Sequence, residues 1–333
     1  MSPQHFRRWS LVSALIAASP AAAQFSINGF VKPPDAGAHA PAPQSAPDAP
    51  PSSGPPPDLA FGAYQRGYYE TALREAMKRL QANPKDGPAM TLIGEIYKDG
   101  VSVKRDMAEA VRWYRLAADA GDRQATFELG VTLLTGAPGV PKDRAAAKAL
   151  LEKAAAQGHA GALYNLGVMA IQGDGSGPDF AKAADLFRRS AEAGDDDGSY
   201  SYGVLLRDGR GVPLDIAAAA HWLKRAADGG IIAGQVEYGI MLFNGVGVAR
   251  DEAGAARLFL KAAAKNNPIA QNRLAHLYAT GRGVPKDPVQ AAAWNRFAKA
   301  AGITDSELDA LTAGLSPDQT AKVEQAVRLQ AQF

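Results

Sequence analysis

The chain has 333 residues and a formal net charge of +2, with 47% hydrophobic but only 8% aromatic residues. This balance leaves no basic surface of the kind that nucleic acid or anionic lipid would require, so neither is expected as a partner. Cysteine is absent, which excludes disulfides, thiolate metal sites, cysteine nucleophiles and lipidated cysteines.

The N-terminus has the composition of a secretory signal peptide. Arg7 and Arg8 precede an apolar run from Leu11 to Ala18, and three alanines before Gln24 fit a signal-peptidase site. The run is too short to span a bilayer as a mature helix. Cleavage of residues 1–23 is therefore predicted, with a periplasmic or secreted location and no stable membrane insertion afterwards. An uncleaved N-terminal anchor is the alternative, and the arginine pair leaves Sec and twin-arginine export both open.

Residues 24–57 are rich in proline and alanine. Ten prolines fall between Pro33 and Pro57, mixed with small and polar residues. Such a segment cannot bury enough apolar surface to offset its ordering entropy, so a disordered tether is predicted. The alternative is a proline-rich ligand for a groove.

Beyond the tether, the sequence repeats with a period of 36 residues. Three series of landmarks keep this spacing, except for one step of 37 residues in each series. They are a small residue inside an apolar pattern (Gly94, Gly130, Gly167, Gly203, Gly239, Ala275), an aspartate (Asp106, Asp143, Asp179, Asp215, Asp251, Asp287) and a residue after an alanine-rich run (Gly121, Gly158, Gly194, Gly230, Asn266, Gly302). The series predict six tandem units over residues 89–305.

Each unit has the signals of a helix, a tight corner and a second helix. We call the small residues of the first series, from Gly94 to Ala275, the anchors. A further glycine lies six residues after each anchor, at the position where a left-handed residue would end the first helix. The aspartate then stands where the second helix needs an N-cap. The pentapeptide GVPKD, present at 139–143 and again at 283–287, is therefore interpreted as the corner between the two helices.

The units resemble the Sel-one-like repeat family, a relative of the tetratricopeptide repeat. The resemblance rests on ALYNLGVMAIQG, GRGVPLD, AAAAHWLKRAADGG and AQNRLAHLYATGRGVPKD, and it covers about two-thirds of the chain. It implies an all-α protein, an α/α solenoid superhelix whose first helices line a concave surface. Residues 58–88 resemble a tetratricopeptide helix pair, and residues 306–333 are predicted to form capping helices at the other end.

No constellation of residues predicts chemistry. His159, His221 and His276 fall in different units without the spacing of a metal site, and they are interpreted as ordinary surface or half-buried histidines. The acidic run from Asp195 to Asp197 is expected to supply an N-cap in preference to a cation site. We expect no catalytic residue, no cofactor and no metal.

One face of the first helices is the candidate binding surface. Positions three before, one after and four after each anchor share a helical face, which is apolar in units two to five and polar at both ends. The predicted concave-face residues are Phe127, Val131, Tyr164, Val168, Tyr200, Val204, Arg207, Val236, Ile240 and Phe243, with Leu134 and Ile171 completing the pattern. These side chains either form a groove for a partner or pack against neighbouring helices as core.

The sequence thus favours a non-enzymatic periplasmic scaffold that binds a protein or peptide of the cell envelope. The resemblance extends to exported bacterial members that restrain a membrane sensor kinase, which implies a regulatory or assembly role. The alternative is an envelope hydrolase that acts on peptidoglycan or β-lactams. Family members with β-lactam chemistry are rich in cysteine, whereas this chain has none.

Overall fold

The structure is a computed structural model that describes residues 58–330, apart from residues 174 and 176. The predicted signal peptide (1–23) and tether (24–57) lie outside the described residues. The described residues form helices without a strand: α1 (Leu59–Gln65), α2 (Tyr69–Ala82), α3 (Gly87–Asp99), α4 (Met107–Asp119), α5 (Arg123–Thr135), α6 (Arg144–Ala156), α7 (Ala160–Gln172), α8 (Phe180–Glu192), α9 (Asp196–Asp208), α10 (Ile216–Asp228), α11 (Ile232–Asn244), α12 (Glu252–Ala263), α13 (Pro268–Thr280), α14 (Pro288–Ala300), α15 (Ser306–Ala313) and α16 (Pro317–Gln330).

The helices from α3 to α14 pair in chain order as six helix-turn-helix repeats. Each first helix packs against the second helix of its own repeat and against the second helix of the preceding repeat. Buried alanines between the helices allow this close approach. The prediction of an all-α solenoid is confirmed.

The predicted helix-ending glycine and capping aspartate are present in all six repeats, but only four of the glycines are left-handed as predicted, because Gly136 and Gly173 have ψ of 161° and 177°. The glycines that end the first helices have φ between +63° and +72°, which other residues adopt only with strain. Each predicted aspartate caps the following helix by accepting a backbone N–H three residues later, at 2.7–3.0 Å. The extra residue of the second repeat forms a tight turn, closed by paired backbone hydrogen bonds between Ala137 and Val140 at 2.8 and 2.9 Å.

The corners of the fourth, fifth and sixth repeats also contact the repeat before them. The Cβ of any larger residue at Gly211 would lie 2.2 Å from the carbonyl carbon and oxygen of Phe180, at the start of α8. Gly283 makes the same approach to Glu252 at the start of α12. The corner glycines of the fourth, fifth and sixth repeats are therefore inter-repeat contacts as well as turn residues, since a Cβ at Gly247 would also lie 2.5 Å from the carbonyl oxygen of Ile216. A Cβ at Gly139 would meet only Ala108, at 3.8 Å, and one at Gly175 would meet nothing within 4 Å. In the first repeat Ser102 occupies this position, with φ +63°.

The anchor glycines make room for large side chains of the second helix. A Cβ at Gly94 would lie 2.6 Å from the ring of Tyr114, and a Cβ at Gly167 would lie 2.6 Å from the ring of Phe187. Both rings are buried. In the sixth repeat Ala275 replaces the glycine, and Asn295 occupies the position of the large second-helix side chain. The extra methyl group of the alanine is thus matched by a smaller facing side chain.

The solenoid has helices at both ends, as predicted. At the C-terminal end α15 and α16 pack against the last repeat and bury Leu308 and Val323. At the N-terminal end α1 and α2 form a pair, and α2 packs against α3. Within the described part of the chain, no helix has the length and apolar character of a membrane span.

Candidate functional site

The predicted concave-face residues fall into two groups by exposure. Three have little accessible surface, with 4% of Val204, 5% of Val236 and 4% of Phe243 exposed. The other seven are half-buried: Phe127, Val131, Tyr164, Val168, Tyr200, Arg207 and Ile240. Leu134 and Ile171 are half-buried as well. The half-buried residues lie mainly on α5, α7 and α9, the first helices of the second, third and fourth repeats. We call Phe127, Val131, Tyr164, Val168 and Tyr200 on these helices the strip.

The three buried residues belong to the core and cannot anchor a partner without a rearrangement. Phe243 and Val236 pack in one cluster with Phe259 and Trp294, and the guanidinium of Arg282 lies 4.1 Å from the ring centre of Phe243. Val204 packs in another cluster, with Leu223 and Met241. The sequence pattern of the first helices did not separate these three residues from the half-buried ones.

Three aromatic side chains occupy the equivalent position of adjacent repeats and differ in their supports. Phe127 stacks on His159 with ring centres 4.1 Å apart. Tyr164 leans on Phe187, with ring centres 5.6 Å apart. For Tyr200, burial and then the carboxylate of Glu237 raise the pKa to about 12, which keeps the phenol protonated. Each ring is thus held by neighbours yet keeps part of its surface accessible.

The centre of this surface carries no charge. Helix α7, the first helix of the third repeat, has no Asp, Glu, Lys, Arg or His side chain along its thirteen residues. Its half-buried Asn165 donates from the amide nitrogen to the carbonyl of Gly161 at 2.8 Å. An uncharged, partly aromatic strip favours an apolar partner segment, because a charged one would lose hydration without a counter-charge.

A network of charged groups bounds the strip on its N-terminal side. Lys98 of α3 pairs with Glu95 on the same helix and with Glu128 of α5, the latter at 3.4 Å. The hydroxyl of Tyr114 donates to Glu95 at 2.9 Å, and the amide of Gln124 donates to Glu128 at 2.9 Å. Burial and the adjacent charge of Glu128 raise the pKa of Glu95 despite the ammonium beside it.

A second network bounds the strip on its C-terminal side. Arg207 of α9 donates to Glu237 of α11 at 2.7 Å and to Asp208 at 2.8 Å. Although burial alone lowers the pKa of this guanidinium, the two carboxylates raise it above its ordinary value. Among the predicted face residues Arg207 is therefore committed to an ion pair between repeats.

Both networks follow a rule that the sequence analysis missed. The position four after one anchor meets the position two before the next, so partners lie 30 residues apart, as in Lys98–Glu128 and Arg207–Glu237. Phe243 and Arg273 have the same spacing and line one small depression. Oppositely charged residues 30 positions apart would have indicated both networks from the sequence.

At the last repeat, one carboxylate joins the repeat to the C-terminal cap. Asp305 accepts a backbone N–H from Leu308 at 3.1 Å as the N-cap of α15. Its other oxygen lies 2.7 Å from Nε2 of His276 and 3.2 Å from the amide nitrogen of Asn272. Burial would raise the pKa of Asp305, but these hydrogen bonds hold it below its usual range. His276 is thus a structural residue at the end of the concave face.

His159 is also structural, and its role is specific. Its Nδ1 accepts the backbone N–H of Ala162 at 3.1 Å and so caps α7. Its Nε2, 3.0 Å from Oε1 of Gln124, must then carry the proton and donate. Burial and the charge of Arg123 lower the pKa of His159 to about 4. The ring is neutral at ordinary pH, as this cap requires.

The described residues hold no group of His, Asp and Glu side chains arranged to bind a metal ion. Asp195 caps α9 by accepting the backbone N–H of Gly198 at 2.6 Å, which confirms its predicted role. Burial and the two preceding carboxylates raise the pKa of Asp197 to about 6.

A family model, the Sel1 repeat, matches six consecutive segments of the chain: 87–122, 123–159, 160–195, 197–231, 232–267 and 268–302. The chain belongs to the Sel1 repeat family. Proteins of this family are typically scaffolds for protein–protein interaction. The matched segments contain all the residues of the strip and of both charged networks.

Solved structures agree with this assignment. A Sel1 repeat protein from Oxalobacter formigenes is 32% identical, with a TM-score of 0.64, over 73% of this chain and 98% of that chain. The c5321 protein, a protective antigen of uropathogenic Escherichia coli with an SLR fold, is 26% identical, with a TM-score of 0.51, over 82% of this chain and 67% of that chain.

A curated relative matches a shorter region. Cytochrome c oxidase assembly factor 7A of Xenopus laevis is 39% identical over 72 residues, which are 22% of this chain and 31% of that protein. The chain thus spans less than a third of the length of this relative.

Proposed function

We propose that this chain is an exported, non-enzymatic scaffold of the periplasm that binds a protein of the cell envelope through the strip on α5, α7 and α9. The observation that supports the strip is its combination of half-buried aromatic rings with an uncharged centre between two charged networks. Its expected occupant is an apolar peptide or helix, because such a segment loses little hydration on this surface. The N-terminal sequence supports export.

The strip can be tested by truncating two of its rings, since aromatic side chains dominate the energy of many interfaces. Tyr164→Ala and Tyr200→Ala should each weaken partner binding by ~2 kcal/mol, which is about a thirtyfold loss of affinity. The partner would be captured first with a photo-crosslinking amino acid placed at position 164 in the exported protein. Its affinity for each variant would then be measured by titration.

Tyr202→Ala is the matched control. Tyr202 lies on α9 like Tyr200 and is also half-buried, but its ring packs edge-on against Trp222 of α10, with centres 5.7 Å apart. If the tyrosines are only core residues, each truncation should cost ~3 kcal/mol of folding stability and binding should fall only with the folded fraction. Equal losses for all three variants after this correction would refute the strip.

Export has a separate test. N-terminal sequencing of the periplasmic fraction should begin at Gln24, because the alanines before it occupy the positions that signal peptidase reads. A mature protein that retains Arg7 and Arg8 would contradict cleavage. Hydrolysis of peptidoglycan fragments or of a β-lactam by the purified protein would contradict the non-enzymatic part of the proposal.

A further inference from the structure

The charged network on the N-terminal side of the strip holds more negative than positive charge. We call Glu95, Lys98, Asp99 and Glu128 the N-terminal network. Burial lowers the pKa of Lys98, but the charges of Glu128, Glu95 and Asp99 outweigh this effect and raise that pKa above its ordinary value. One ammonium group is thus shared by three carboxylates.

Two of these carboxylates have further partners that are uncharged. The hydroxyl of Tyr114 donates to Glu95 at 2.9 Å, and the hydroxyl of Tyr64 donates to Asp99 at 2.7 Å. Neutral donors leave the excess of negative charge in place, and burial together with the charge of Glu128 raises the pKa of Glu95. A further cation would relieve this repulsion between like charges.

The N-terminal network is accessible and is continuous with the strip. The side chains of Glu95 and Glu128 are 20% and 16% exposed. Gln124 joins Glu128 to His159, since its amide nitrogen donates to Glu128 at 2.9 Å and its Oε1 lies 3.0 Å from Nε2 of His159. Phe127 of the strip stacks on the same imidazole. A cation held by Glu128 would therefore lie beside the first ring of the strip.

The network on the C-terminal side of the strip has no such preference for a cation. Glu237 pairs with Arg207 at 2.7 Å. Burial lowers the pKa of Arg273, and the charge of Glu237 opposes this effect, so the same carboxylate acts on two guanidinium groups. Both guanidinium groups would repel an arriving cation. The two sides of the strip thus differ in the charge that they accept.

We propose that the partner segment of the strip carries a lysine or arginine at the end that lies over Glu95 and Glu128. The inference rests on the proposed function, because it names the chemistry of the partner at the same site. The occupant is an apolar segment with one basic end. Complementary charges of this kind fix the register of a bound segment, and an acidic residue at the same end would be rejected by like-charge repulsion.

Three synthetic peptides with a fluorescent label test the inference. They share one helical core of leucine, alanine and phenylalanine, and they differ in the two residues at one end, which are lysine, glutamine or glutamate. Their affinities for the exported chain are measured by anisotropy titration. We expect the lysine peptide to bind about fivefold or more tightly than the glutamine peptide, and the glutamate peptide to bind more weakly than either.

Two variants locate the cation. Glu95→Gln and Glu128→Gln each remove one negative charge but keep a side-chain oxygen that can accept a hydrogen bond, and each should reduce the preference for lysine by about half or more. Asp185→Asn is the matched control, because it removes the same charge from an exposed residue of α8, where Asp185 pairs with Arg188. This control should retain the full preference. Urea midpoints establish that all three variants are folded.

The strip and the cation site are separated by Tyr164→Ala, which should weaken the binding of all three peptides to a similar degree. Equal affinities for the lysine and glutamine peptides, with both weakened by Tyr164→Ala, would overturn the inference and leave the strip in place. A preference for lysine that is unchanged in Glu95→Gln and in Glu128→Gln would overturn it as well. Failure of every peptide to bind would count against the proposed function and would overturn the inference with it.

Discussion

The inter-repeat contact of the GVPKD-type corner can be tested at Gly211. Replacement by alanine adds a Cβ 2.2 Å from the carbonyl group of Phe180 and places it on a backbone with φ +73°. The left-handed conformation costs an alanine ~1–2 kcal/mol. Relieving the overlap requires the backbones of two repeats to separate, and overpacking of this kind costs ~1–3 kcal/mol. We expect Gly211→Ala to lower the free energy of unfolding by ~2–5 kcal/mol.

Gly230→Ala is the control that isolates the overlap from the backbone strain. Gly230 has φ +89°, and a Cβ there would meet nothing within 4 Å. This variant should lose only the ~1–2 kcal/mol of strain. Urea unfolding followed by helical circular dichroism measures both variants on the same chain. Equal losses would refute the contact between corner and preceding repeat, because strain alone would then account for Gly211.

Two further predictions concern helix caps. Asp215→Ala should lower the stability by ~1 kcal/mol through the lost cap of α10, and an unchanged urea midpoint would contradict that cap. His159 predicts a dependence on pH: its pKa is about 4 in the folded chain and ~6.5 when unfolded, so the unfolded chain binds the proton first. Its contribution to stability should be complete above about pH 6.5, decline as the pH falls towards 4, and change no further below that. His159→Asn, which preserves a cap, should flatten this part of the stability curve, and an unchanged slope would argue against the neutral cap.

The parts of the fold that were predictable from sequence are those fixed by local chemistry. A glycine such as Gly209 closes a helix because its own φ is positive, and Asp215 caps the next helix through an atom three residues away. Neither feature depends on how the repeats stack. The periodic landmarks therefore predicted the helices, the corners and the fold class.

The candidate site was less predictable because it depends on the angle between repeats. The sequence placed Phe243 on the same face as Tyr164, yet Phe243 is buried and Tyr164 is half-buried. Phe243 packs in one cluster with Phe259 of its own repeat and Trp294 of the next repeat, and the pattern of a single repeat does not encode packing between repeats. For the same reason Arg207 was predicted as a partner-binding residue, although its charge is committed to Glu237.

The spacing of 30 residues between facing positions has a consequence for changes in repeat number. Loss of the third repeat, 160–195, would place Leu134 opposite Ser201, and no charge would be stranded. Loss of the fifth repeat, 232–267, would instead place Arg207 opposite Arg273, so two guanidinium groups would meet where an ion pair now stands. Loss of the third repeat is thus electrostatically neutral at this position, whereas loss of the fifth repeat would oppose two like charges.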